Sequence, residues 1–286
     1  MGTDTNPHAA PGPAVSIVIP AFNRVDLTTQ CLRALIANTT SHSYEVIIVD
    51  NASTDATPEL CASLGGHATV IRNGENLGFA RACNQGAAAA AADRIVFLNT
   101  DTEPLTNWLA PLVDILDGQS DVGAVGMKLL FPDRTVQHGG VVIIETPNYP
   151  TLAAQHLPYQ VPENDPLANQ RRDVTVATAA CLMVRRSAFN AIGGFDEGYW
   201  NGYEDVDLCL SLGAAGWRIV YEPASVLIHH ESASGPERFR RTDDNIARLQ
   251  ERWAGRVIPD FVVKDGAPEL NPSGLHAAQL ALIAGT

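Results

Sequence analysis

Acidic and histidine side chains stand at the ends of several strand-like segments of this sequence. Asp50 and Asp101 each follow a short apolar run rich in β-branched residues, and His229-His230 follows a third such run. Carboxylates and imidazoles bind divalent cations, and ligands of open α/β sheets bind beyond the carboxyl ends of the strands. The pattern predicts one crevice suited to a cation and a phosphorylated ligand.

A further acidic pair, Glu204-Asp205, opens a predicted helix. Acidic residues in a first helical turn are expected from the helix dipole alone, but only one of the two can cap the helix. The other is free to face a cleft, where a carboxylate can act as a general base. Ordinary alternatives stay open here, because Asp50 also fits turn chemistry and a single histidine is more often structural than a ligand.

The composition limits the class of protein. The 286 residues, of which 45% are hydrophobic, suffice for one large domain or two fused halves. A net charge of -13 argues against nucleic acid as a partner, because its phosphates require a basic surface. The same charge would repel a phosphorylated ligand, so carboxylate-bound cations or local arginines must offset it.

The sequence also indicates the cellular compartment, because it lacks two features. Every apolar stretch falls well short of the ~20 residues that span a membrane, so no transmembrane segment is predicted. The cysteines are odd in number and form no Cys-x-x-Cys pair, which favours reduced thiols in a cytosolic enzyme; they are Cys31, Cys61, Cys83, Cys181 and Cys209.

Strand and helix patterns alternate through the first half of the chain. This alternation predicts an α/β protein with a doubly wound, mostly parallel sheet. The predicted strands are 15–19, 46–49, 69–72 and 95–98, and the predicted helices are 26–37, 58–64 and 79–92, the first with Asp26 as its N-cap.

The second half has a less regular pattern. Predicted strands lie at 123–127, 141–144, 174–184, 218–221 and 226–228, with helices at 205–215 and 243–253. The stretch 145–173 carries five prolines and no clear periodicity, which leaves a functional loop and a plain surface excursion equally open. Residues 1–13 are interpreted as a disordered leader, not a signal peptide.

Six ordered motifs give the sequence a resemblance to a known family. The segments SIVIPAFN at 16–23, VDNASTD at 49–55 and NLGFARACN at 76–84 resemble the opening motifs of family 2 glycosyltransferases. LNTD at 98–101 resembles the metal-binding strand end of that family, and the two acidic segments within 194–208 resemble its acceptor-side signature. The resemblance runs from about 15 to 234 and is greatest to bacterial enzymes that build rhamnose-containing and other surface polysaccharides.

The resemblance implies a GT-A fold, a nucleoside-diphosphate sugar donor (UDP-, dTDP- or GDP-linked), Mn²⁺ or Mg²⁺, and inversion at the anomeric carbon. It implies a glycan or lipid-linked glycan as acceptor and a cytoplasmic location, with peripheral contact to the inner face of the membrane left open. The expected domain is 14–255, divided into a nucleotide-sugar half at 14–126 and an acceptor half at 127–255, with a tail at 256–286.

Site residues are carried over by the same resemblance. Asp205 is expected to be the catalytic base, with Glu204 beside it as the alternative, and Asp101 and His229 are the expected metal ligands, with His230 as the alternative histidine. Asp50 is expected to read the base and Arg81 to lie near the pyrophosphate. The expected donor-binding residues are Pro20, Ala21, Asn23, Arg24, Asp50, Asn76, Gly78, Arg81, Asn99 and Thr100.

The sequence departs from the family pattern at three positions. Asn99 stands where the metal motif often has a first carboxylate, Ala180 where glycine is common, and Ser211 where arginine is common. None of these removes an expected catalytic group, although Asn99 predicts a lower affinity for the metal.

Other functions are less consistent with the sequence. A sugar-1-phosphate nucleotidyltransferase would be expected to carry a glycine-rich basic loop after the first strand, where this chain has PAFNR at 20–24. An NAD-dependent enzyme would show Gly-x-Gly-x-x-Gly there. A non-catalytic module that binds nucleotide sugars or glycans stays open as the alternative.

Overall fold

The computed structural model describes residues 12–231 and 239–284. Most of the predicted disordered leader, 1–11, therefore lies outside the described residues. Within the described ranges, no helix is both long enough and apolar enough to cross a membrane.

The described chain forms strands and helices that largely alternate up to residue 118. The strands are β1 (Val15–Ala21), β2 (Tyr44–Asp50), β3 (Thr69–Arg72), β4 (Arg94–Leu98), β5 (Thr102–Pro104), β6 (Val122–Leu130), β7 (Val136–His138), β8 (Val141–Glu145), β9 (Leu152–His156), β10 (Arg172–Asp173), β11 (Cys181–Arg185), β12 (Arg218–His229), β13 (Phe261–Lys264) and β14 (Ala267–Leu270). The α-helices are α1 (Val25–Asn38), α2 (Thr57–Ser63), α3 (Phe79–Ala89), α4 (Ala110–Gly118), α5 (Arg186–Ala191), α6 (Glu204–Ala214), α7 (Thr242–Trp253) and α8 (Ala277–Ala284).

A ten-stranded sheet forms the centre of the molecule, with the strand order β10-β12-β6-β11-β4-β1-β2-β3 and β5 and β7 paired beside it. Strands β1 to β4, β6 and β12 run in one direction, and β11 runs against both β4 and β6. The predicted mostly parallel, doubly wound sheet is confirmed. Its carboxyl edge is where residues after β1, β4 and β12 meet.

Hydrophobic cores cover both faces of this sheet. Along β1, Val18 points to the core with α3, α5 and α6, whereas Ile17 and Ile19 point to the core with α1 and α4. The alternation is the period-two pattern of a strand buried on both faces. Gly86 of α3 sits directly on Val18, and a β-carbon there would overlap the valine side chain.

A second sheet of four strands, ordered β14-β13-β8-β9, packs beside the central one. Strand β9 lies within the stretch 145–173 that showed no periodicity, and the tail after residue 255 supplies β13, β14 and α8. These strands have only four or five residues each. Because β13 pairs with β8 from a distant part of the chain, local patterns gave little indication of this sheet.

Some expected elements were wrong in extent. The strand predicted at 174–184 is formed only at Cys181–Arg185, and the two runs predicted at 218–221 and 226–228 belong to the single strand β12. Helix α4 was not predicted. Asp26 is not the N-cap of α1; Arg24 occupies that position, and the carboxylate of Asp55 accepts the Val25 N–H at 2.8 Å instead.

Candidate active site

A cavity of about 430 Å³ opens at the carboxyl edge of the central sheet. It is bounded by the ends of β1, β4 and β12, by the first turn of α6, and by residues of β8, β9 and α7. Of the predicted site residues, it is lined by Pro20, Ala21, Asn76, Asn99, Thr100, Asp101, Glu204, Asp205 and His229. The strand ends therefore meet in one crevice.

Asp101 and His229 face each other in this cavity. Oδ1 of Asp101 lies 3.2 Å from Nε2 of His229, and the two side chains are only 9% and 8% exposed. Strand pairing brings them together, because β5 follows Asp101 directly and places Thr102 opposite His229 in β12. The backbone N–H of His230 also donates to the carbonyl of Asp101 at 2.9 Å.

The ring of His229 has one nitrogen engaged on the side away from Asp101. Its Nδ1 lies 2.6 Å from Oε1 of Gln137, and an amide oxygen can only accept, so Nδ1 carries the proton. In the neutral ring Nε2 then carries the lone pair; it is buried and has no hydrogen-bond partner among the described residues, although Oδ1 of Asp101 lies 3.2 Å away. A buried imidazole nitrogen beside a carboxylate fits a divalent cation.

His230 lies on a different side of the strand end. Its Nε2 pairs with Oε1 of Glu103 at 2.5 Å, and Gln30 donates to the same oxygen. Of the two histidines, His229 is therefore the one that faces Asp101. Among the described residues no group of three or more His, Cys, Asp or Glu side chains is arranged to hold a metal, so protein ligands would occupy only part of a coordination sphere.

Asp205 is held by three hydrogen bonds at the edge of the cavity. Its Oδ2 accepts the Thr178 hydroxyl at 2.9 Å and the Ala179 N–H at 3.1 Å, and its Oδ1 accepts the Val206 N–H at 2.9 Å. A carboxylate has about four accepting positions, so the orientation is fixed while one position is left for another donor.

Glu204 has a different environment from its neighbour. It is 7% exposed, and its Oε2 accepts the Gly202 N–H at 2.5 Å. Gly202 and Tyr203 both have positive φ angles, 153° and 69°, so this bond closes a tight backbone turn before α6.

Burial raises the pKa of the Tyr203 phenol, and the Asp205 charge raises it further, so Tyr203 is a hydrogen-bond donor and not a base.

The thiol of Cys31 is buried close to Asp101. Burial raises its pKa to about 12, and the charges of Asp101 and Glu103 contribute in the same direction. This thiol is therefore not a nucleophile at neutral pH. The five cysteines are all buried and unpaired, in agreement with the predicted reduced thiols.

The five remaining predicted donor-binding residues are not among those that line the cavity; they are Asn23, Arg24, Asp50, Gly78 and Arg81. Asp50 is 1% exposed; it pairs with Arg72 and accepts the Ser53 N–H at 2.8 Å. Asn23 bonds Ser53 and Thr54, and Arg24 pairs with Asp26. Arg81 pairs with Glu197 at 3.3 Å, with both side chains about half exposed.

Gly78 lies just before α3, under a loop formed by residues 199–203. The ring of Trp200 covers Gly78 so closely that a β-carbon there would lie 3.1 Å from the ring, and Gly78 has a φ of 81°. The first N–H of α3, that of Phe79, donates to Oδ1 of Asn201 at 2.9 Å. The start of α3, the helix that carries Arg81, is thus joined to the loop that leads into Glu204-Asp205.

Helix α7 holds the other side of this loop. Asn245 accepts the Trp200 N–H at 2.9 Å and donates to the Trp200 carbonyl at 2.7 Å. Further along, Arg252 and Trp253 both donate to Asp207 at 2.6 Å, which fixes α7 against α6.

Sequence reasoning missed several residues of the site. Asn51 lines the cavity beside the buried Asp50, and Thr178, Asn201, Asn245 and Gln137 hold other site residues. Asn51 and Asn201 lie inside or between recognisable motifs and could have been named. Gln137 lies in a three-residue strand outside any motif and gave no signal.

Comparison with known proteins gives a consistent family and fold. The sequence model described as "Glycosyl transferase family 2" matches residues 16–193. The chain is 37% identical over 232 residues to the O-antigen biosynthesis protein RfbC of Myxococcus xanthus, covering 78% of this chain and 18% of that protein. It is 30% identical over 226 residues to the N-acetylglucosaminyl-diphospho-decaprenol L-rhamnosyltransferase of Mycobacterium tuberculosis, covering 70% and 71%.

Among solved structures, GalNAc-T7 with UDP, GalNAc and Mn²⁺ superposes with a TM-score of 0.66 at 18% identity, covering 84% of this chain and 49% of that chain. This likeness shows a shared fold, the expected GT-A type. The chain spans less than a third of the length of the first curated relatives that it matches.

Proposed function

Because this chain belongs to glycosyl transferase family 2, we propose that it transfers a sugar, with inversion, from a nucleoside-diphosphate donor to a hydroxyl of a glycan or lipid-linked glycan in surface-polysaccharide assembly. One observation carries the proposal: the Asp101–His229 pair and the Asp205 carboxylate line the same cavity at the carboxyl edge of the sheet. Such a cavity can hold a diphosphate and place a base beside the sugar.

The donor occupies the side of the cavity formed by the ends of β1 and β4. The polar and small residues that line this side are Pro20, Ala21, Asn51, Asn76, Asn99 and Thr100. UDP-, dTDP- and GDP-linked sugars are all candidates. The rhamnosyltransferase of Mycobacterium tuberculosis makes a rhamnosyl donor the first to test.

Asp101 and His229 hold the divalent cation. A carboxylate oxygen and an imidazole nitrogen together suit Mn²⁺ well and Mg²⁺ less well. When bound, the cation offsets the negative charge that develops on the leaving diphosphate. Two protein ligands would leave the rest of the coordination sphere to groups outside the protein, so binding of the cation and of the donor would be mutually dependent.

Asp205 accepts the proton of the attacking acceptor hydroxyl. Inversion requires a direct displacement from the face opposite the diphosphate, and one carboxylate within hydrogen-bond reach is enough for it. The three donors around Asp205 hold it in one orientation. Glu204 instead binds the Gly202 N–H and shapes the turn.

The acceptor enters from the side formed by the second sheet and α7. Val141, Ala154 and His156 line this side, together with Thr242 and Asn245 of α7. Ala154 and His156 belong to the stretch 145–173, so part of that stretch borders the cavity. A cytoplasmic position, peripheral at the inner face of the membrane, accords with a nucleotide-sugar donor and a lipid-linked acceptor.

Product analysis tests the proposal. The purified protein is incubated with Mn²⁺, a panel of nucleotide sugars, and an N-acetylglucosaminyl-diphospho-polyprenol or a panel of glycan acceptors, and products are identified by mass spectrometry. Transfer by the native protein and by an Asp114→Asn control, but not by Asp205→Asn, is expected; Asp114 is exposed on α4. Donor binding without transfer or hydrolysis under every condition would indicate a binding module instead.

A further inference from the structure

Gln137 is almost completely buried, at 4% exposure, although it is polar and lies outside every family motif. It belongs to β7, which pairs with β6 and not with the strand that carries His229. Its amide oxygen nevertheless lies 2.6 Å from Nδ1 of His229. A buried amide needs partners for both its oxygen and its nitrogen. The partners of the two atoms therefore decide which of them faces His229.

The orientation of the Gln137 amide is fixed by its second partner. Its Nε2 donates to Oε2 of Glu231 at 3.3 Å, and an ionised carboxylate can only accept. The nitrogen therefore faces Glu231 and the oxygen faces His229. The oxygen in turn requires a proton on Nδ1 of His229, which in the neutral ring leaves Nε2 unprotonated and directed at Asp101.

We propose that Gln137 is a positioning residue that holds His229 in the Nδ1-protonated form and so presents Nε2 to the divalent cation beside Asp101. The inference rests on the metal role in the proposed function and extends it to a residue that does not touch the cation. Partners of this kind orient the ring of a metal-binding histidine, and their loss typically weakens metal affinity by about 10- to 100-fold.

The first test reads the ring directly, without metal or substrate. The protein is labelled with ¹⁵N in its histidine rings, and the signals of His229 are assigned from the spectrum of His229→Asn. At pH 8 the native protein should show a protonated Nδ1 and an unprotonated Nε2. The Gln137→Leu variant, which has similar volume and no acceptor, should show a mixture of both forms.

The second test measures Mn²⁺ affinity by electron paramagnetic resonance. Gln137→Leu should bind Mn²⁺ about 10- to 100-fold more weakly than the native protein. The double variant Gln137→Glu with Glu231→Gln restores an acceptor for Nδ1–H and removes carboxylate repulsion, so its affinity should return to within a few-fold of the native value. A purely structural role for Gln137 would not give this rescue.

The outcomes separate this inference from the proposed function. An unchanged His229 ring spectrum and unchanged Mn²⁺ affinity in Gln137→Leu would overturn the role of Gln137, even if the native enzyme transfers sugar. Absence of Mn²⁺ binding by the native protein, both alone and with UDP, dTDP or GDP present, would overturn the metal role itself, whatever the ring spectrum shows. If Gln137→Leu fails to fold, Gln137→Asn withdraws the amide by one methylene and gives the same comparison.

Discussion

Nε2 of His229 lies 3.2 Å from Oδ1 of Asp101, so two side chains from opposite halves of the chain face each other inside one cavity. The antiparallel pairing of β5 with β12 brings them together, because Asp101 directly precedes β5 and His229 is the last residue of β12. The distance suits two ligands of a shared cation.

Removal of divalent cations should suppress transfer. Excess EDTA is expected to abolish turnover, and added Mn²⁺ or Mg²⁺ should restore it. Asp101→Asn should weaken Mn²⁺ binding at least about tenfold, since it replaces a charged ligand by a neutral one. Calorimetric titration with Mn²⁺ measures this, and full activity in excess chelator would exclude the cation from the mechanism.

Substitution of the proposed base should act on catalysis and not on donor binding. Asp205→Asn is expected to lower kcat by about 100- to 10,000-fold, the usual contribution of a general base. The dissociation constant of the donor should change less than about threefold. Glu204→Gln is the matched comparison, and a large kcat loss there with an active Asp205→Asn would reverse the two roles.

A methyl group added at the contact between α3 and β1 should destabilise the protein. Alanine normally stabilises a helix relative to glycine by about 1 kcal/mol. In Gly86→Ala the new β-carbon overlaps Val18, so a net loss of about 1–3 kcal/mol in the free energy of unfolding is expected.

Gly213→Ala is the control for this contact. Gly213 lies in α6 with nothing within 4 Å of the added carbon, so it should stabilise the protein by about 0.5–1 kcal/mol. Urea denaturation measures the free energy of unfolding of both variants. A change of the same sign in both would contradict the predicted overlap with Val18.

Acid should destabilise the fold through His138. Burial lowers the pKa of His138 well below its usual value of 6.5, and the neighbouring His156 and Arg172 charges lower it further. Below pH 6.5 the unfolded chain therefore binds a proton that the folded chain does not, so the free energy of unfolding falls as the pH falls.

This single group can contribute at most about 1.4 kcal/mol per pH unit. Urea denaturation at pH 7.5, 6.5 and 5.5 should show a shallower decline for His138→Asn than for the native protein. Parallel declines would show that His138 is not responsible.

Many of the strands and the crevice could be predicted from the sequence, because both depend on local residue patterns. The runs before Asp50 and Asp101 identify strands, and strand ends in an open sheet share one edge, which predicted the crevice and the meeting of Asp101 with His229. Asp50 also ends a strand, but its carboxylate pairs with Arg72, and the sequence alone does not reveal which way a strand-end side chain faces.

Other parts depend on contacts that no local pattern records. The second sheet joins β8 to β13 across more than a hundred residues. Gln137 reaches His229 from a strand too short to show any periodicity. Both follow from tertiary packing, and a single sequence gives no direct sign of them.

The loop 199–203 is bound to α3 through its own Asn201, which accepts the Phe79 N–H, and to α7 through Asn245. The match to the family sequence model ends at residue 193, before this loop, Asp205 and His229. A shortened protein cut at that boundary would lose α6, α7 and β12, a strand of the central sheet, together with Asp205 and His229.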